Sequence, residues 1–102
     1  MRPLNDFEEV LDQMRDLHDR KMADYGRPAD PFANVRASED FGVEGWVGSL
    51  IRANDKMRRL QSASQGSELR NEGIEDSLID LANYAVIALV LYRQSRDVTP
   101  KQ

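Results

Sequence analysis

Residues 71–92, NEGIEDSLIDLANYAVIALVLY, decide the fold class of this chain. Their second half, AVIALVLY at residues 85–92, is apolar on every side of a helix, which is typical of a segment at the centre of a helical bundle or in an oligomer interface. Their first half places polar side chains in one stripe of the same helix, namely Glu72, Asp76, Asp80 and Asn83. We therefore predict a long last helix from near Asn71 to about Arg96, with residues 85–92 largely buried.

A second long helix is predicted upstream, from Val43 to about Ser62. Its apolar residues recur at helical spacing and should form the side that faces the core, which comprises Val43, Trp46, Val47, Leu50, Ala53, Met57 and Leu60. The opposite side carries Gly45, Gly48, Ser49, Arg52, Asp55, Lys56 and Arg59. The small residues on that opposite side would let another element approach the helix backbone closely.

The rest of the chain adds one long helix and one short one. Asn5 and Glu8 have the spacing of a capping box, so the first helix should run from Asp6 to about Ala23. Residues 24–35 contain glycine and proline and predict a loop, after which a short helical turn around residues 34–40 should end at Gly42. Because no segment alternates like a strand, we predict an all-α fold, a small antiparallel bundle of about three long helices and a short one, in a single domain of residues 1–102.

Composition excludes several classes of function. The chain has 102 residues, no cysteine, and 18 acidic against 14 basic side chains, which gives a formal net charge of -4. A thiolate metal site and a cysteine nucleophile are therefore excluded, and a long nucleic acid is a poor partner because its backbone would be repelled. No apolar run approaches the roughly 20 residues that span a bilayer, and no secretory leader is recognisable, so we expect a cytoplasmic protein without a membrane partner.

Asp80 is the most informative acidic residue. Glu72, Glu75 and Asp76 lie near the start of the last helix, where acids commonly complement the helix dipole. Asp80 lies further inside, next to the apolar run, and a carboxylate in such a place needs a cation. Two interpretations stay open: Asp76 and Asp80 hold Mg²⁺ or Mn²⁺, or Asp80 pairs with an arginine of the second long helix.

The segment RANDKMRR at residues 52–59 is the densest basic stretch. It stacks Arg52, Lys56 and Arg59 on one helical face with Asp55 beside them. This can be a solvated face with an Asp55 to Arg59 pair, or it can supply three cations for a polyphosphate and a further carboxylate for the metal. We predict that Asp80 is half-buried and faces Arg52, Asp55 or Lys56 across the helix pair.

Four motifs in order give a family resemblance: KMADYG at residues 21–26, PFANV at 31–35, RANDKMRRL at 52–60 and NEGIEDSLIDLANYAVIAL at 71–89. The chain resembles the nucleotide modification associated domain 1 family, which is common in phages. That family is similar to the MazG-like all-α nucleoside triphosphate pyrophosphatases. Members of the MazG-like group bind Mg²⁺ through acidic pairs on two packed helices and split a nucleoside triphosphate into monophosphate and pyrophosphate.

The resemblance implies roles for individual residues of this chain. The catalytic carboxylates would be Asp55, Asp76 and Asp80, and the metal ligands would be these three together with Glu72. The nucleotide would be held by Arg52, Lys56, Arg59 and Asn83, and from the first two motifs by Lys21, Asp24, Tyr25 and Asn34. Apart from the resemblance, the position of Tyr25 and Phe32 on the proline-containing loop leaves two interpretations open: they stack on a base, or they only anchor the loop.

Two functional hypotheses follow, and both have a small-molecule nucleotide as partner. In the first, the chain is a metal-dependent nucleoside triphosphate pyrophosphohydrolase. In the second, it is a nucleotide-sensing or partner-binding module without catalysis, which is favoured by a departure from the MazG-like pattern: the second long helix offers Asp55 alone instead of an acidic pair. The apolar run at residues 85–92 predicts a homo-oligomer, a dimer or a tetramer, in either case.

Overall fold

Every regular element in the described part of the chain is helical. The computed structural model describes residues 5–25, 32–66 and 71–97. Its elements are α1 (Asp6–Tyr25), α2 (Ala33–Arg36), a 3₁₀ helix (Ala37–Phe41), α3 (Gly45–Ser64) and α4 (Asn71–Arg96). The all-α prediction is confirmed, and no strand occurs within these residues.

Contacts divide the chain into two units, Met1–Pro31 and Phe32–Gln102. The prediction of a single domain over residues 1–102 therefore stays a prediction. None of the helices in the described ranges combines the length and the apolarity that crossing a membrane requires.

The first unit contains α1, which begins as its sequence predicts. The backbone N–H of Glu8 donates to Asn5 Oδ1 at 2.8 Å, so Asn5 caps the helix. The first turn carries Asp6, Glu8 and Glu9, whose negative charges stabilise the positive end of the helix dipole. The helix continues past its predicted end at Ala23 and reaches Tyr25.

The second unit begins with two short helices, α2 and the 3₁₀ helix, where the sequence predicts a single short helical turn before Gly42. Gly42 has a φ of 78°, in the left-handed region that glycine adopts without steric cost, and its backbone N–H donates to the carbonyl of Glu39 at 3.1 Å. Ser38 Oγ donates to the carbonyl of Val43 at 3.0 Å. The 3₁₀ helix is thereby connected to the segment that leads into α3.

The helices α3 and α4 form an antiparallel pair in this unit. Near the start of α3, the Trp46 ring meets the Tyr92 ring edge-on, with centroids 5.4 Å apart. Further along α3, the fully buried Ser49 donates from Oγ to the carbonyl of Tyr84 at 2.7 Å. Later residues of α3 thus contact earlier residues of α4, and the antiparallel prediction is confirmed for this pair.

The side of α3 that packs inside the chain differs from the predicted one. Its buried residues are Gly45, Gly48, Ser49 and Ala53. The large apolar residues Leu50 and Met57 are 45% and 42% exposed. Small residues allow neighbouring backbones to approach closely, and a large side chain at the same contact would hold them apart. The prediction that the apolar residues of α3 face the core is therefore wrong for Leu50 and Met57, whereas Ala53 of the same predicted side is buried.

Residues 85–92 are buried on one side only. Ala88 and Leu91 are 7% and 5% exposed, whereas Val86 and Leu89 are 53% and 49% exposed. In the second unit α4 packs mainly against α3, so only one side of the apolar run is covered. The prediction that this run is largely buried, partly in a homo-oligomer, therefore stays a prediction, because the single chain covers only one side of it.

Candidate functional site

A cavity of about 360 Å³ lies between the 3₁₀ helix and α3. Pockets that bind small ligands commonly measure about 300–1,000 Å³ and combine apolar walls with a few polar groups. This cavity has that character. It is lined by Val35, Ala37, Ser38, Phe41, Gly48, Ile51, Arg52 and Asp55.

Gly48 determines how closely the 3₁₀ helix approaches α3. A Cβ at Gly48 would lie 2.8 Å from the carbonyl oxygen of Val35 and would also clash with the side chain of Ser38. The backbone of α3 therefore touches the backbone of α2 at Val35, and the 3₁₀ helix meets the same point through the side chain of Ser38. Arg52 and Asp55 follow one and two turns later on the same side of α3, where they line the cavity beyond the contact.

The sequence anticipates two of the polar residues in the cavity and misses its aromatic residue. Arg52 and Asp55 were predicted as neighbours at a nucleotide site, and the structure places both on one cavity. Phe41 also lines the cavity and is 87% exposed. The sequence did carry a signal for Phe41. This aromatic residue stands alone after Glu39 and Asp40 and directly before Gly42, at the end of a short polar helix, where few apolar residues are available to bury it.

Lys56 and Asp80 form an ion pair between α3 and α4. Lys56 Nζ lies 3.0 Å from Asp80 Oδ2, and the two side chains are 26% and 37% exposed. The prediction that Asp80 is half-buried and faces Arg52, Asp55 or Lys56 is confirmed, with Lys56 as the partner. The cation that this carboxylate needs beside the apolar run is thus supplied by an ammonium group.

Asp80→Asn is expected to lower the free energy of unfolding by about 0.2–1 kcal/mol, because the Asp80 side chain is 37% exposed and solvent screens the pair. The substitution lowers stability because it removes the attraction between Asp80 and the ammonium group of Lys56. Urea denaturation of the two proteins measures the difference. Asp76→Asn, at an exposed position one turn earlier, is the matched control and should change stability less. Equal effects of the two substitutions would contradict the structural role of the pair.

Of the other predicted site residues, the structure describes the side chains of Arg59, Asp76 and Asn83. Arg59 and Asp76 are exposed and Asn83 is half-buried. The side chains of Lys21, Asp24, Tyr25, Asn34 and Glu72 lie outside the described residues. Among the side chains that the structure does describe, no group of three or more acidic or histidine residues is arranged to hold a metal ion. The Mg²⁺ or Mn²⁺ site therefore stays a prediction.

A second cavity, of about 220 Å³, lies where the start of α3 meets the end of α4. Arg36 lines it together with the carboxylates of Glu39 and Glu44, and Glu44 Oε2 accepts a hydrogen bond from Trp46 Nε1 at 3.0 Å. Two carboxylates beside one arginine repel an anion, so this cavity is less suited to a phosphate than the cavity beside Arg52.

The fold and the first cavity define an all-α protein with a cavity lined by both an arginine and an aspartate. The chain belongs to the nucleotide modification associated domain 1 family, whose model matches residues 21–91. This range contains every residue that lines the first cavity and also contains the ion pair of Lys56 and Asp80. None of the curated proteins and none of the solved structures matches the chain.

Proposed function

We propose that this chain binds a nucleotide in the cavity between the 3₁₀ helix and α3. The observation that carries the proposal is the placement of Arg52, Asp55 and the 87% exposed Phe41 around one cavity of about 360 Å³. A nucleotide requires a cation for its phosphate, a hydrogen-bond acceptor for its sugar and an aromatic surface for its base. Membership of a family described as nucleotide modification associated supports the same class of ligand.

Arg52 is assigned to the phosphates. Its planar guanidinium can donate two parallel hydrogen bonds to phosphate oxygens, a geometry that lysine cannot reproduce. Arg59 lies two turns later on the same side of α3 and is exposed, so it adds positive charge to this side of the helix. These arginines provide a local basic strip on a chain whose net charge is -4.

Asp55 and Phe41 are assigned to the nucleoside. An ionised carboxylate only accepts hydrogen bonds, so Asp55 suits a sugar hydroxyl or a base amino group and repels phosphate. The exposed ring of Phe41 can stack on a base, an interaction worth about 1–3 kcal/mol per base. The ligand would thus lie with its base toward the 3₁₀ helix and its phosphates toward Arg52.

Binding without hydrolysis is the better supported of the two functional hypotheses. Asp80 is already paired with Lys56, and the described side chains contain no group of three metal ligands. A MazG-like reaction would require Asp76 and Asp80 to accept Mg²⁺ or Mn²⁺ in place of that lysine. The arrangement of the described residues does not fit such a metal centre.

Calorimetric titration of the full chain with each of the four deoxynucleoside triphosphates, with and without Mn²⁺, tests this proposal. We expect saturable binding, weaker binding of inorganic triphosphate because it lacks the nucleoside, and unchanged triphosphate in phosphorus NMR spectra of the same samples. Release of pyrophosphate and monophosphate would instead support the pyrophosphohydrolase. Absence of binding by every nucleotide would refute the proposal.

A further inference from the structure

The side of α4 that faces away from α3 carries a regular apolar stripe. We call it the outer stripe, and it comprises Leu78, Ala82, Ala85 and Leu89. Leu78 and Leu89 are 50% and 49% exposed, and the two alanines are exposed as well. The buried residues of α4 lie on the other side of the helix, among them Ser77, Ala88 and Leu91.

The spacing of the outer stripe suits a second helix. Successive positions of the stripe are four, three and four residues apart, which is the repeat that lets two helices pack side by side with a small crossing angle. The leucines stand at the two ends and the alanines in the middle. Two such stripes therefore fit each other when the alanines of the two helices approach closely in the middle and the leucines pack on either side of them.

The charges along α4 determine which partner and which direction fit this stripe. All acidic residues of α4 lie in its first half, where Glu75 and Asp76 are exposed, and its basic residues, Arg93 and Arg96, lie in the last turn. A second α4 in the opposite direction would bring Leu78 opposite Leu89 and Ala82 opposite Ala85. The same register brings Glu75 beside Arg93 of the second copy. A parallel arrangement would bring like charges together.

We propose that the outer stripe is the interface of a symmetric homodimer in which two copies of α4 pack antiparallel. The occupant of the stripe is a second copy of this chain because the charge pattern of α4 is complementary to itself only when reversed. This interface uses the side of α4 that α3 leaves open. It is independent of the nucleotide proposal, since none of the residues that line the cavity beside Arg52 belongs to the stripe.

Sedimentation velocity of the full chain at micromolar concentration tests the dimer. The wild-type chain should sediment as a dimer and Leu89→Glu as a folded monomer, with helical content checked by circular dichroism. Leu50→Glu is the control, because Leu50 is 45% exposed on α3 and lies outside the stripe. A monomeric wild-type chain, or a Leu89→Glu variant that stays dimeric, would overturn the proposal.

A charge exchange tests the antiparallel direction without a change in the apolar residues. Glu75→Arg alone and Arg93→Glu alone should each weaken the dimer several-fold, because each brings like charges together at both ends of a symmetric interface. The double variant should recover the wild-type dissociation constant. In a parallel dimer Glu75 would face its own copy, so each single variant would only exchange one like-charge pair for another. Single variants that leave the dimer unchanged, or a double variant that brings no recovery, would therefore contradict the proposed direction.

Discussion

Gly48→Ala is expected to lower the free energy of unfolding by about 1–3 kcal/mol, the usual cost of overpacking a close contact. Helix propensity alone predicts the opposite sign, because alanine in a helix interior is about 1 kcal/mol more favourable than glycine. The contact geometry outweighs this preference. The new Cβ would lie 2.8 Å from the Val35 carbonyl oxygen, which belongs to the backbone and cannot rotate away as a side chain can.

Urea denaturation followed by circular dichroism measures this change. Asn54→Ala serves as the control, because Asn54 is exposed in the middle of α3 and its replacement should leave stability unchanged or slightly raised. A Gly48→Ala variant that is more stable than the wild-type chain would show that the backbone of α2 at Val35 does not rest on the α3 backbone. In that case the walls of the cavity would be placed wrongly.

Arg52→Ala is expected to weaken nucleotide binding by about 10- to 100-fold. This range corresponds to the loss of about 1.5–3 kcal/mol that is typical of a hydrogen bond to a charged group. Arg52→Lys should have an intermediate effect, because it keeps the charge and loses the paired donors of the guanidinium. Calorimetric titration with the nucleotide that binds the wild-type chain most tightly gives the three dissociation constants.

Arg58→Ala is the matched control for Arg52→Ala. Arg58 lies on the same helix, is exposed, and is not among the residues that line the cavity, yet its replacement changes the net charge by the same amount. Its dissociation constant should stay near the wild-type value. Equal losses in the two variants would indicate that the nucleotide responds to overall charge, and the specific role of Arg52 would then be wrong.

Helix bounds were predictable because their signals are local. The capping pair of Asn5 and Glu8 places the start of α1, and Gly42 places the end of the 3₁₀ helix, both as predicted. The bounds predicted for the last helix agree with α4, Asn71–Arg96. Each of these signals acts within a few residues of the chain and does not depend on tertiary contacts.

The packed side of α3 was not predictable from periodicity. A helical wheel shows which residues share a side, but it does not show whether the side with large apolar residues or the side with small residues meets the neighbouring helix. In this chain Ser49 is fully buried while Leu50, the next residue, is 45% exposed. A hydrogen bond from Ser49 to the backbone of Tyr84 removes the cost of burying the hydroxyl group.

The candidate site was predictable in part. Helical spacing alone places Arg52 and Asp55 on one side of α3, and the structure brings both to the cavity. The same spacing could not predict which basic residue of α3 pairs with Asp80. The pairing with Lys56 depends on how α3 is rotated against α4. Phe41 was missed because its role depends on where the 3₁₀ helix rests on α3.

The most direct test of nucleotide binding in the cavity between the 3₁₀ helix and α3 is a titration of ¹⁵N-labelled protein with a deoxynucleoside triphosphate, followed by amide chemical shifts. The account predicts saturable shifts that are largest at Ser38, Phe41, Gly48 and Arg52, with little change around Asp76 and Asp80. Shifts centred on Asp76 and Asp80, or no saturable shifts at any concentration of nucleotide, would contradict it.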